Sequence, residues 1–363
     1  MNRRRAVNRR RAVNRRRAVT RSRRVNRRFV MLAGLGAIAL SIFVPVEPAC
    51  ASQPSYEFTS HPVPYESPYG IVYDDRGPLK GVWFTNATTN AKSAAVEFLY
   101  ETGKTRSHAT PTAAAKPGSI NFVPGNDSLW FTETGTNKIA KIDPTRNITE
   151  YEIPTAVSKP LDIQHGPDGA MWFTESGVGK IGRIDSAGKI TEYVVGAAND
   201  APTALIAQSG AMWFTEVGSS RIGRLTASGD VKHFAVGSGT LTGDMTNTSD
   251  GSLWAPKSTS VVRLKPDGTY SEFPLPGVIK TGAIFGRQDG VFIGAIKANG
   301  QGSILSVSIT GKVQEYNLPS KFLLPIEMAL DPDGGFFMTV SSIPRGHSVS
   351  MIWRLQLDSA KPR

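Results

Sequence analysis

Ser128-Leu129-Trp130-Phe131-Thr132-Glu133, Ala170-Met171-Trp172-Phe173-Thr174-Glu175 and Ala211-Met212-Trp213-Phe214-Thr215-Glu216 are three versions of one phrase. Trp83-Phe84-Thr85 precedes them and Leu253-Trp254 follows. Fainter copies put Phe292 and Phe337 at the tryptophan position. The seven aromatics Trp83, Trp130, Trp172, Trp213, Trp254, Phe292 and Phe337 are spaced by 47, 42, 41, 41, 38 and 45 residues. One aromatic per unit of about 40 residues is the period of a propeller blade.

The inside of a unit agrees. In the third, Leu161–His165, Ala170–Glu175, Lys180–Asp185 and Lys189–Val195 read as strands. Gly166-Pro167-Asp168-Gly169, Ser176-Gly177-Val178-Gly179 and Ser186-Ala187-Gly188 read as the turns between them. Met171-Trp172-Phe173 is apolar without alternation, as a sheet packed on both faces requires. The expected fold is all-β, a seven-bladed propeller of four-stranded antiparallel blades. Ser55-Tyr56-Glu57-Phe58-Thr59, extending toward Pro64, matches the fourth-strand pattern of other units, while the last unit ends soon after Trp353-Arg354-Leu355. The N-terminal strand is therefore expected to complete the last blade and remove its open edge.

Two segments are expected, 1–51 and the propeller at 52–363. The chain has 363 residues and a formal charge of +12, but residues 1–28 alone hold 14 arginines. From Ser52 onward 28 Lys plus Arg face 29 Asp plus Glu, a net charge of −1, so the propeller has no field to attract nucleic acid. The arginines run into an apolar stretch, Phe29–Val46, followed by Ala49-Cys50-Ala51. This is the order of a signal peptide, cleaved near Ala51 to give a secreted or periplasmic protein; an uncleaved membrane anchor is the alternative. Membrane contact is expected only through that segment. Cys50 is the sole cysteine, so the mature protein relies on its core rather than on disulfides.

Trp-Phe-Thr-Glu, with Lys180-Ile181-Gly182-Arg183-Ile184 and Lys189-Ile190-Thr191-Glu192-Tyr193, resembles the virginiamycin B lyase (streptogramin lyase) family of seven-bladed propellers across residues 55–357. The resemblance implies a functional face at one channel mouth. It also implies a lyase that opens type B streptogramins by elimination with a divalent metal. The family's histidines follow the proline early in the innermost strand; here those positions hold Tyr69, Gly118, Leu161, Thr203, Gly243, Thr281 and Ile326. Its glutamate position holds Lys257, Ala295 and Val340 in blades five to seven. Elimination needs a base and an acid at the reacting bond, and these side chains supply neither.

Two acidic groups are expected to share one mouth. Asp162, Asp244 and Glu327 each stand ten residues before their blade's aromatic, and form a candidate site for Mg2+, Ca2+ or a cationic ligand, or a cap on backbone N–H groups. Glu133, Glu175 and Glu216 each precede a cation by five residues, at Lys138, Lys180 and Arg221, the spacing of a structural ion pair across a hairpin. In blade five both partners change, to Lys257 and Ser260. His233 is read as filling the fourth-strand place of Tyr193; His61, His108, His165 and His347 read as surface or packing residues. Long segments at Thr85–Ala94, Ala295–Gly302 and Ser341–Ser350 fall at the same mouth on adjacent blades, the usual setting for recognition. The expected function is binding of a small molecule, or of an envelope or extracellular protein, by a monomer without streptogramin lyase activity. The alternative is a metal-dependent lyase or hydrolase of a cyclic ester or lactone, and no residue is assigned a catalytic role.

Overall fold

A computed structural model describes residues 56–63, 68–76, 80–87, 95–125, 127–331, 333–342 and 351–357. All lie in one compact unit, Gln53–Arg363. The basic segment, the signal peptide with its cleavage point near Ala51, Cys50 and His347 lie outside the described residues. No helix among the described residues is long and apolar enough to cross a membrane.

The chain forms seven four-stranded antiparallel sheets. Blade three shows the pattern: Pro160–His165, Met171–Glu175, Lys180–Ile184 and Ile190–Val194, in that order from the channel outward. Tyr56–Pro62 pairs with Met351–Leu357, Tyr56 opposite Leu357 and Pro62 opposite Met351, so the N-terminal strand closes blade seven as expected. Blade five departs most, its inner strand reduced to Thr246–Asn247. Gly243 there has a φ of 111°, which a β-ladder does not accommodate.

The seven aromatics occupy one register. Each stands on the second strand opposite an inner-strand residue: Val72, Asn121, Gln164, Ile206, Thr246, Phe285 and Ala329 in turn. Trp130, Trp172, Trp213 and Trp254 stack on Tyr151, Tyr193, Phe234 and Phe273 of the fourth strands, centroids 5.3–5.5 Å apart. The neighbouring Phe173 and Phe214 cover Gly182 and Gly223, where a Cβ would lie 2.1 Å from the ring. Each fully buried aromatic contributes about 2–3 kcal/mol against its exposed state.

A feature missed in the sequence holds the blades to one another. The threonine of Trp-Phe-Thr-Glu is fully buried in blades one to four. Its hydroxyl donates to an inner-strand carbonyl of the next blade: Thr85 to Gly118 at 2.6 Å, Thr132 to Leu161 at 3.0 Å, Thr174 to Thr203 at 3.1 Å and Thr215 to Gly243 at 2.9 Å. Thr339 of blade seven donates to Tyr69 of blade one at 2.7 Å and closes the ring. The signal was visible as a threonine two residues after the aromatic in five units, including Phe337-Met338-Thr339.

Candidate functional site

The innermost strands begin with a proline in blades one to four, at Pro68, Pro117, Pro160 and Pro202, and each ladder then slips. Proline has no N–H for the ladder, and two residues bulge toward the axis. In blade three these are Leu161 and Asp162; the Asp162 N–H bonds the Thr174 hydroxyl at 3.0 Å instead of a strand. The repeated bulge sets Tyr69, Leu161, Thr203, Gly243, Thr281 and Ile326 around an upper chamber of about 240 Å³. A lower chamber of about 580 Å³ is lined by Tyr73, Asn121, Gln164, Ile206, Phe285 and Met328 among others.

Ser119, Asp244 and Glu327 line both chambers, and Asp162 lines the upper one. The three acids do converge, but at the waist of the channel rather than at its rim. Asp162 is held on all sides. One oxygen accepts from Ser119 Oγ at 2.8 Å, Ile163 N at 2.8 Å and Gln164 Nε2 at 3.3 Å; the other accepts from Leu205 N of blade four at 2.7 Å. Asp244 accepts from Met245 N and, across the blade boundary, from Ile284 N, both at 2.7 Å. Glu327 has no hydrogen-bond donor among the described residues.

Burial raises all three from their ordinary carboxylate values. Asp162 is raised by burial and drawn back by its four donors. Asp244 is pushed up to about 7 by burial, with the Asp162 charge adding to it. Glu327 is raised well above its ordinary value by burial and by both aspartates. The geometry overturns the metal expectation. Among the described residues no group of three or more His, Cys, Asp or Glu could hold a metal ion, so Mg2+ or Ca2+ on Asp162, Asp244 and Glu327 is withdrawn. The aspartate oxygens are turned onto backbone N–H groups that the bulges leave open, and Glu327 favours its proton. Asp162 and Asp244 cap the backbone between blades, and Glu327 does not.

Glu133, Glu175 and Glu216 are fully buried. The expected ion pair forms in blade four, Arg221 Nε to Glu216 at 2.9 Å, joined by His233 Nδ1 at 2.9 Å. In blades two and three the lysine turns the other way. Lys138 bonds Glu150 at 2.9 Å and Lys180 bonds Glu192 at 3.3 Å, both fourth-strand glutamates. Glu133 and Glu175 are left beside a second carboxylate, and burial with that like charge raises them to about 7 and about 8. Blade five inverts the set: the buried Lys257 bonds Glu272 at 2.9 Å and the carbonyls of Val236 and Ser238 at 2.8 and 2.6 Å.

His233 pairs with Gly223, and Phe234 with Ile222. His233 thus stands where Glu192 does, and Phe234 where Tyr193 does, one place from the sequence reading. His61 and His108 are lowered from the usual histidine range, first by burial and then by nearby arginines. The Ala295–Gly302 segment is not a loop but the ends of two long strands, Gly290–Lys297 and Gln301–Ser308. Residues 88–94 and 343–350, most of the other two expected loops, lie outside the described residues.

The upper mouth carries apolar side chains on adjacent blades. Tyr69 of blade one is 39% exposed, Ile279 of blade six 53%, and Phe322, between blades six and seven, 51%. Phe322 holds a φ of 62°, a conformation that bulky residues rarely adopt, and its N–H bonds the Gly300 carbonyl at 2.7 Å.

Similarity to known proteins matches this arrangement. A streptogramin B lyase structure is 26% identical, covers 84% of this chain and 98% of its own, and superposes with a TM-score of 0.72. Virginiamycin B lyase from Staphylococcus aureus, as the selenomethionine protein, is 25% identical over 84% of this chain and 100% of its own, TM-score 0.71. A catalytically inactive histidine-to-alanine form of that enzyme with quinupristin is 26% identical over the same shares, TM-score 0.73. No match emerged among curated protein sequences. The virginiamycin B lyase family model matches residues 56–345, and the chain belongs to that family.

Proposed function

We propose that this chain is an exported, ligand-binding member of the family that does not open streptogramin rings. The observation that carries the binding half is the upper chamber lined by Tyr69, with Ile279 and Phe322 exposed on the segments of blades six and seven that lead into it. Exposed aromatic and aliphatic side chains around a concave, partly polar chamber suit a small molecule with an apolar body. The left-handed backbone at Phe322 costs about 1–2 kcal/mol, and strain of that kind concentrates at ligand clamps. The upper chamber adds Ser119, Thr203, Thr242 and Thr281 as hydrogen-bonding groups.

The loss of lyase chemistry rests on the composition of the ring of bulge residues. Tyr69, Leu161, Thr203, Gly243, Thr281 and Ile326 line the chamber, and none is a base at neutral pH. Of the acids beside them, Asp162 and Asp244 are occupied with backbone N–H groups, and burial with the two aspartate charges favours the proton on Glu327, which leaves it no base.

The test is incubation of the purified protein with quinupristin, with an active family enzyme as control. Chromatography separates the cyclic from the linear form, because elimination leaves the mass unchanged while hydrolysis adds one water. The cyclic compound is expected to be recovered intact, with and without magnesium. Ring opening at a rate proportional to protein concentration would contradict the proposal.

A further inference from the structure

The boundary between blades one and two breaks a rule that four other boundaries keep. At those four, the glycine of the turn between third and fourth strands lies against the fourth-strand aromatic of the preceding blade. Gly188 faces Tyr151, Gly229 faces Tyr193, Gly268 faces Phe234 and Gly311 faces Phe273. All four glycines have φ between +85° and +93°. An added Cβ would lie 2.2 Å from Tyr151 and 2.6 Å from Phe273. The glycine both makes the turn and seals the boundary.

In blade two the same turn position, with the same N–H bond back to the start of the turn, is Arg146. It has a φ of 73°, so an arginine occupies a backbone state suited to glycine. Two further substitutions meet it. The fourth-strand aromatic place of blade one is His108, opposite Val96 as Tyr151 is opposite Ile139. The cation that faces the tryptophan across the second and third strands, Lys141, Arg183, Arg224 or Arg263 in the next four blades, is Phe98 in blade one. Together these changes leave a cleft of about 280 Å³ where those four boundaries are filled. It opens between the blades toward the end of the channel opposite the apolar mouth.

The cleft has a charge and an apolar wall. Arg76 is neutralised by Asp74 and Asp127, each at 3.0 Å. Arg106 and Arg146 have no carboxylate partner among the described residues, whereas Arg183, Arg263 and Arg354 all bond turn aspartates. The Arg146 guanidinium lies over the Trp83 ring, 4.7 Å from its centroid. Tyr100 and Pro144 supply the open apolar surface, backed by the edges of the buried Trp83 and Phe98. Two unneutralised guanidinium groups suit a carboxylate, which they can grip in a fork, and the wall suits a planar ring.

We infer that the cleft between blades one and two is a second binding site, distinct from the channel, for a small aromatic carboxylate. The strained arginine is retained because it binds, since glycine would serve the turn better. That makes the test unusual: Arg146→Gly should hold or raise the unfolding temperature, as the other blades' turns do with glycine, while removing the site.

The probe is benzoate, titrated calorimetrically into the purified protein at low ionic strength, with benzyl alcohol and acetate as the ring without the charge and the charge without the ring. Saturable benzoate binding is expected, with both controls weaker by about tenfold or more. Arg146→Gly and Arg106→Gln should each weaken benzoate by about tenfold or more, the former without loss of thermal stability. No saturable heat up to about 10 mM benzoate would overturn the inference, as would unchanged affinity in Arg146→Gly or benzyl alcohol binding as tightly as benzoate.

Discussion

At the scale of single residues, the buried glutamates make the clearest claim. Glu175 is fully buried, its oxygens meet no donor, and Glu192 lies beside it. With a proton Glu175 can donate to Glu192; ionised, it can only repel it. Its folded pKa of about 8 stands above the ordinary 4.5, so the folded state binds the proton more tightly than the unfolded chain. The stabilisation is therefore full below pH 4.5, falls as pH rises toward 8, and is gone above it, at a cost of order 5 kcal/mol. Glu175→Gln, whose amide donates without titrating, should flatten that slope and raise stability above pH 8 relative to the native protein, as urea unfolding at pH 5 and pH 9 would measure. Lys257 is the opposite case. Lys257→Met strands the Val236 and Ser238 carbonyls and the Glu272 carboxylate, and should cost about 2–3 kcal/mol in the same assay.

At the scale of elements, the ring depends on latches and on one borrowed strand. Removing residues 56–62 would bare the edge of Met351–Leu357 and strip Phe58 from Trp353, whose rings now sit 6.3 Å apart. The unfolding midpoint should fall by roughly 10 °C or more, with aggregation on heating. Thr339→Val removes the hydroxyl that closes the ring and leaves the Tyr69 carbonyl without it, a loss of about 1–2 kcal/mol. The strands of blade three were legible in the sequence to within a residue, because turn glycines and an apolar run mark both ends. The lysine pairings were not. A spacing of five residues places Lys138 opposite Glu133, as it does in the ladder, but does not say which neighbouring strand offers the better acceptor. His233 was misplaced by one because His and Phe both pass for the aromatic until the ladder assigns each a face.

At the scale of the molecule, seven copies of one unit fix the fold, and departures from the copy locate function. The repeat was readable throughout. The waist of acids was readable as a set of positions but not as a depth, since the bulge after each proline turns residues inward only once the ring is closed. The mouth was readable from the long segments on blades six, seven and one, but Phe322 was not, because it interrupts no motif and its conformation belongs to the loop. Calorimetric titration of the purified protein with quinupristin tests the mouth most directly. Saturable binding, weakened about fivefold or more by Phe322→Ala and unchanged by Arg146→Gly, is the predicted result. Binding indifferent to Phe322→Ala, or no saturable binding up to about 1 mM, would contradict it.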